Sequence, residues 1–242
     1  MQIITSAEFI VTLLTLCRVL PIIIFLPPAH YIPIKIKLLL AISIAFLISP
    51  QVNEQYNNIN IITCVSETFI GLTIGLSIHI LFLAIKTSAS IIAAQSGLSN
   101  ATFFDSASTH QENILAKFFS LLILTLFFIT DTFFIIFQAI ADSYNTLTAA
   151  VDTNDLINLI LHIIKNSFEI AIKIALPVLL VGSITYFSAG IIGKLIPNIQ
   201  VFFIVMPLQV CIGMLILFLT LGGTILWFID NYNNMMINYL LR

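Results

Sequence analysis

The chain has 242 residues, of which 60% are hydrophobic and 8% charged, with a formal net charge of -2 and a mean hydropathy of +1.11. Soluble domains carry about 25% charged residues, so this composition excludes an ordinary soluble domain, and without a basic patch no nucleic-acid partner is expected. It is the composition of an integral membrane protein, and with no Pro/Gly/Ser linker or composition shift the chain reads as one domain, 1–242.

A helix needs about 20 apolar residues to cross the hydrocarbon core of a bilayer. On that measure six apolar blocks follow one another, at residues 9–26, 34–50, 61–85, 118–141, 168–192 and 201–229, which predicts an all-α, polytopic membrane protein. No positive region precedes the first block, Glu8 standing there instead, so the block is expected to remain as a mature helix rather than a removed signal. Within it lies Arg18. An intramembrane cation faces protein or water by default, but a tilted block would let Arg18 snorkel, and the sequence leaves both open. Pro27, Pro28 and Pro33 mark the first turn, and an Asn-rich turn with Glu54 follows the second block.

The third block contains Glu67 and His79, isolated ionisable residues of which the histidine reads as a packed, hydrogen-bonded side chain. It also holds Gly71 and Gly75, whose small-xxx-small spacing lets two helix backbones approach closely. In the fourth block Thr130-Asp131-Thr132 interrupts the apolar run and predicts a break between two half-helices. Residues 142–165 read as a longer acidic connection, and Pro177, Pro197 and Pro207 predict kinks or boundaries in the last third. Cys17, Cys64 and Cys211 are scattered through apolar runs, which indicates neither a disulfide framework nor a CxxC redox or zinc site, and they read as small buried hydrophobes.

Most cations fall on alternate connections, with Lys35, Lys37, Lys86, Lys117 and Lys194 on one side and Lys165 and Arg242 against the trend. By the positive-inside rule the first side is cytoplasmic, which places the turn with Glu54 outside.

One polar stretch stands out among these blocks. Residues 87–117 form a central segment whose core reads A-A-Q-S-G-L-S-N-A-T-F-F-D-S-A-S, from Ala93 to Ser108. Asp105, Ser106, Ser108 and His110 lie close together, but they sit in one loop without a nucleophile elbow. No phosphate-binding loop, zinc motif or Cys/His cluster occurs elsewhere, so no enzyme, cofactor or metal is expected.

Gly97 to Ser108, G-L-S-N-A-T-F-F-D-S-A-S, resembles the G-L-S-x-A-T-x-x-D-P-x-S signature of the FliR family, with its injectisome counterpart SctT. The likeness extends over nearly the whole chain. Arg18, Pro33, Lys35 and Lys37 match at the start, Glu67, Gly71 and Gly75 fit E-x-x-x-G-x-x-x-G, and Lys86, Gln95 and Gly97 follow at the family's spacing. Pro177, Gly190, Lys194, Pro197 and Pro207 then continue the pattern. Ser106 stands where the family usually has proline, Thr130-Asp131-Thr132 where it has Asn-Gly-His, Asn198 where it has glutamine, and Val205 where glycine is common.

The resemblance implies a fold of helical hairpins similar to a fusion of FliP and FliQ. It implies a non-enzymatic subunit of the flagellar type III export gate in the bacterial inner membrane, at the flagellar basal body. There a single copy would join FliP-like and FliQ-like proteins around a conduit for unfolded export substrates, with FlhA and FlhB on the cytoplasmic side. The family's plug corresponds to Gly97, Leu98, Ser99, Phe103, Phe104 and Asp105. A pore wide enough for polypeptide leaks ions unless it is filled, and apolar constrictions gate by dewetting, a role that suits Phe103 and Phe104, with Asp105 holding the closed loop as an Asx turn. The A-T-F-F-D run is closer to the flagellar form than to the injectisome one. An alternative is a small-solute or ion transporter. That class usually shows paired intramembrane ionisable residues and repeated halves, whereas Arg18, Glu67, His79 and Asp131 are isolated in sequence and no internal repeat is evident.

Overall fold

The computed structural model describes residues 6–27, 32–52, 61–99, 102–104, 111–130, 132–146, 153–196 and 201–240. Seven helices account for most of them: α1 (Ser6–Phe25), α2 (Ile34–Val52), α3 (Ile61–Gln95), α4 (Ile114–Ile129), α5 (Thr132–Thr146), α6 (Thr153–Leu195) and α7 (Val201–Leu240). The class is all-α, with one local addition. Between α3 and α4, β1 (Thr102–Phe104) and β2 (Gln111–Asn113) pair antiparallel, with Phe103 opposite Glu112.

The first two blocks become α1 and α2, which pack side by side. The fourth divides as Thr130-Asp131-Thr132 suggests, because α4 ends at Ile129 and α5 begins at Thr132; Asp131 itself lies outside the described residues. Elsewhere the helices outrun the hydropathy blocks. α3 continues ten residues past Ile85, since Ser88, Ala89, Ile92 and Ala93 extend the buried i, i+3, i+4 stripe of Ile74, Ile78 and Leu81. The acidic connection at 142–165 is mostly helix: α5 runs to Thr146 and α6 starts at Thr153. Here a stripe of Ile163, Ser167, Ile170, Ala171 and Ile174 carries the helical period through charged neighbours that lower the local hydropathy. Pro177 and Pro207 lie inside continuous helices rather than at boundaries, and Pro197 falls outside the described residues.

Among the described residues three helices are long and apolar enough to cross a membrane, at Ile62–Gln95, Ile157–Leu195 and Phe203–Tyr232. α3, α6 and α7 have 35, 43 and 40 residues. At 1.5 Å per residue even α3 is about 52 Å long, well beyond a hydrocarbon core of about 30 Å.

The chain divides into two compact units. The first comprises residues 1–81, 127–165 and 232–242, the second 82–126 and 166–231. In the first unit α1 and α3 run parallel, as successive pairings show: Cys17 with Cys64, Arg18 with Glu67, Ile22 with Gly75 and Phe25 with His79. Their backbones touch at the two glycines. A Cβ at Gly71 would overlap the Arg18 carbonyl, and one at Gly75 would lie 3.0 Å from both the Ile22 Cα and the Pro21 carbonyl oxygen. His79 packs as a lone histidine does, its Nδ1 3.2 Å from the Phe25 carbonyl oxygen and its ring edge-on to Phe25.

Because backbone cannot yield as a flexible side chain does, Gly71→Val should destabilise the protein by about 1–3 kcal/mol or more. A lowered thermal midpoint, with a smaller loss for Gly71→Ala than for Gly71→Val, is the expected result.

Candidate functional site

The first unit contains a buried polar cluster. Arg18 projects from α1 and Glu67 from α3, each only 1% exposed. Arg18 Nε donates to Glu67 Oε2 at 2.5 Å and Nη2 to Oε1 at 2.9 Å, a two-pronged match of guanidinium and carboxylate. Nη1 donates to Ser143 Oγ at 3.2 Å, and the Tyr144 ring centroid lies 4.0 Å from Arg18 Cζ, within cation–π range. Ser143 and Tyr144 come from α5, and both are buried. The Tyr144 hydroxyl donates to the Thr15 carbonyl at 3.4 Å, while Thr15 Oγ1 reaches the Ala45 carbonyl on α2 at 3.4 Å. Three helices thus meet at one charge pair, and Thr15 links α2 to the same cluster.

Arg18 therefore faces protein, which resolves the choice between an interior cation and a snorkelling one. Glu67, isolated in sequence, is its partner across 49 residues. The premise that the ionisable residues lack partners does not hold for this pair, because helix packing joins positions that no local spacing links.

The second unit contains the end of α3 and the start of the central segment. α3 stops in a Schellman motif: Leu98 N–H donates to the Ala93 carbonyl at 2.8 Å and Gly97 N–H to the Ala94 carbonyl at 3.3 Å. Gly97 has φ +71°, the left-handed conformation that glycine adopts without steric penalty. After the β1–β2 ladder the chain re-enters helix at Asn113. Asn113 Oδ1 accepts from Leu115 N–H at 2.9 Å, an N-cap for α4, while its Nδ2 donates to the Leu98 carbonyl at 3.3 Å. One side chain therefore caps the outgoing helix and ties it to the end of the incoming one.

α6 and α7 grip the same end of α3. Gln209 is buried and its Nε2 donates to the Gln95 carbonyl. The Gln95 side chain lies against Gly182, and Ser96 fills the space beside Gly213, so that a Cβ at either glycine would collide with it. Asn113, Gln209, Gly182 and Gly213 were not singled out from sequence. An asparagine just ahead of an apolar helical run is a recognised N-cap signal, but nothing local marks the other three.

Of the remaining expected residues, Leu98 is half-buried and Ser99 exposed, and the backbones of Phe103 and Phe104 lie in β1. Their side chains, and Asp105 altogether, lie outside the described residues. The Pro33 carbonyl accepts the Ile36 and Lys37 N–H groups that begin α2, Lys86 is half-buried on α3, and Lys194 is exposed in the last turn of α6, where a cation complements the helix dipole. Among the described residues no group of three or more His, Cys, Asp or Glu side chains could hold a metal.

These elements define a polytopic helical membrane protein whose buried polar side chains at Arg18, Glu67 and Gln209 are engaged in contacts between helices. The sequence model of bacterial export proteins, family 1, matches residues 9–235. The chain is 28% identical to the flagellar biosynthetic protein FliR of Caulobacter vibrioides over 96% of each chain. It is 30% identical to FliR of Buchnera aphidicola subsp. Schizaphis graminum, over 76% of this chain and 74% of that one, and 28% identical to FliR of Escherichia coli, over 82% and 79%. The chain belongs to the FliR family of bacterial export proteins, membrane subunits of the flagellar export apparatus.

Two outcomes follow from this geometry. Arg18→Ala or Glu67→Ala leaves a buried charge without its partner and should cost about 3–5 kcal/mol, whereas Arg18→Met combined with Glu67→Leu should recover most of that loss. Thermal unfolding of the purified protein reads the difference. Gly97→Val forces a β-branched residue into the left-handed region at about 1–2 kcal/mol. Because a Cβ there meets only Val210 Cγ2, at an ordinary 3.8 Å, the penalty is conformational and Gly97→Asn should be milder, which limited proteolysis of residues 96–113 would register.

Proposed function

We propose that this chain is a non-enzymatic wall subunit of the flagellar protein-export conduit and that residues 97–108 form its plug. In this reading it assembles in the bacterial inner membrane, at the base of the flagellum, with FliP-like and FliQ-like proteins. FlhA and FlhB act on the cytoplasmic side, and unfolded subunits pass through the conduit. No cofactor or metal takes part. Phe103 and Phe104 supply the apolar filling of the closed pore and Asp105 holds the loop.

The observation that carries the plug reading is the tied base of the segment. Gly97 turns the chain out of α3 with its carbonyls satisfied, and Asn113 brings it back into α4 while bonded to Leu98. Such an excursion can occupy a pore without unravelling either helix. Export of polypeptide needs an opening, and an idle opening must be blocked against ions. The surplus length of α3, α6 and α7 over the bilayer core supports a conduit that extends beyond the membrane. The flagellar branch is favoured over the injectisome branch because the relatives compared are flagellar biosynthetic proteins.

Deleting residues 100–110, which leaves both capped helix ends in place, should raise ion leakage through the assembled complex without reducing its yield. Conductance of the complex in planar bilayers measures this. Assembly in full yield with no added conductance would reject the plug. Purification in mild detergent from cells co-expressing the partners should give one copy of this chain among several FliP-like and FliQ-like subunits. A stable homo-oligomer in their presence would reject the conduit assignment.

A further inference from the structure

The α1–α3 seam also brings two cysteines together. Cys17 on α1 and Cys64 on α3 are 47 residues apart in sequence, yet their Sγ atoms lie 2.8 Å from each other. Both side chains are half-buried, and the third cysteine, Cys211, is exposed and belongs to the other compact unit. The two thiols flank the Arg18–Glu67 pair, Cys17 adjoining Arg18 and Cys64 one helical turn before Glu67. That ion pair and the backbone contact at Gly71 hold the helices in register and at close range. A disulfide needs two sulfurs within about 2.05 Å, and neighbours that already hold this non-local pair at 2.8 Å leave a short closing movement.

Charge places the pair near an oxidising compartment. Cys64 is the fourth residue of α3, directly after the turn at 53–60, which contains Glu54 and no cation. Lys35 and Lys37 begin α2 at its opposite end. By the positive-inside rule the turn and the start of α3 are on the outer side, which in a bacterial inner membrane is the periplasm, where disulfides form and persist. This placement rests on the inner-membrane reading above.

We propose that Cys17 and Cys64 form an intramolecular disulfide that covalently locks α1 to α3. One thiolate attacks the disulfide of an oxidised periplasmic dithiol oxidoreductase, giving a mixed disulfide and expelling one oxidant thiolate. The second thiolate then displaces the other. One S–S bond forms in this chain as the oxidant's breaks. The two thiols give up two protons and two electrons, and the oxidant leaves as its dithiol.

Counting thiols in the full-length protein tests the bond. Membranes from aerobic cells are acid-quenched, denatured and alkylated with a mass-tagged maleimide, with and without prior reduction. The expected count is one tag before reduction and three after. Cys211→Ser should give none before and two after, and Cys17→Ser should give two before, from Cys64 and Cys211. Three tags on the unreduced native chain overturn the proposal. So does a missing pair of thiols traced to a reducible dimer on a non-reducing gel. Orientation is read separately, by labelling Asn57→Cys in an otherwise cysteine-free chain with an impermeant maleimide added from the periplasmic side. Failure of that labelling would refute the topology, while the tag count alone decides whether the bond exists.

Discussion

A guanidinium cannot stay charged in a nonpolar interior without a partner, and the first compact unit is arranged around that constraint. Arg18 is paired with Glu67 through two parallel hydrogen bonds, and its remaining nitrogen and its flat face are taken by Ser143 and Tyr144. Satisfying one cation thus sets the register of α1 on α3 and the position of α5 against both. Such a pair contributes little net stability over an apolar replacement, but it penalises every arrangement that separates the partners. Its effect is on specificity more than on depth of the energy well.

The pairing depends on backbone proximity. Gly71 and Gly75 remove the side chains that would hold α1 and α3 apart, so the small-xxx-small face and the ion pair support each other. Between lipid-like surfaces the hydrophobic effect supplies little force for joining helices, and close van der Waals packing with a few strong polar contacts replaces it. α2 joins the same set through Thr15 and Ala45. The half-buried cysteines lie on this seam, where two rigid backbones already hold them together.

At its other end α3 meets a second demand, the satisfaction of the carbonyls that its last turn leaves unpaired. The Schellman bonds at Gly97 and the dual contacts of Asn113 leave the central segment closed at its base. Gln209 takes the Gln95 carbonyl, and glycines on α6 and α7 make room for the Gln95 and Ser96 side chains. In the plug role proposed for it, the segment has to be displaced while the helices carrying it stay intact, and capped ends on both sides suit that need.

The amino-acid sequence by itself determined the class, because apolar residues in excess of what a soluble surface tolerates are a property of composition. It also determined the helix break at Thr130–Thr132, the close-packing face of Gly71 and Gly75, and the family, since a motif such as Gly97 to Ser108 is local. Helix ends were less legible. Hydropathy falls where Lys86 and Lys165 enter a helix, but the 3.6-residue burial stripe continues beneath them, so α3 and α6 run further than their apolar blocks. Only the tertiary structure decided that Arg18 is interior and paired with Glu67, that Cys17 meets Cys64, and that Gln209 holds the end of α3. Those contacts span from 47 to 114 residues of chain, and their physical cause is the packing of whole helices, which no window of local sequence contains.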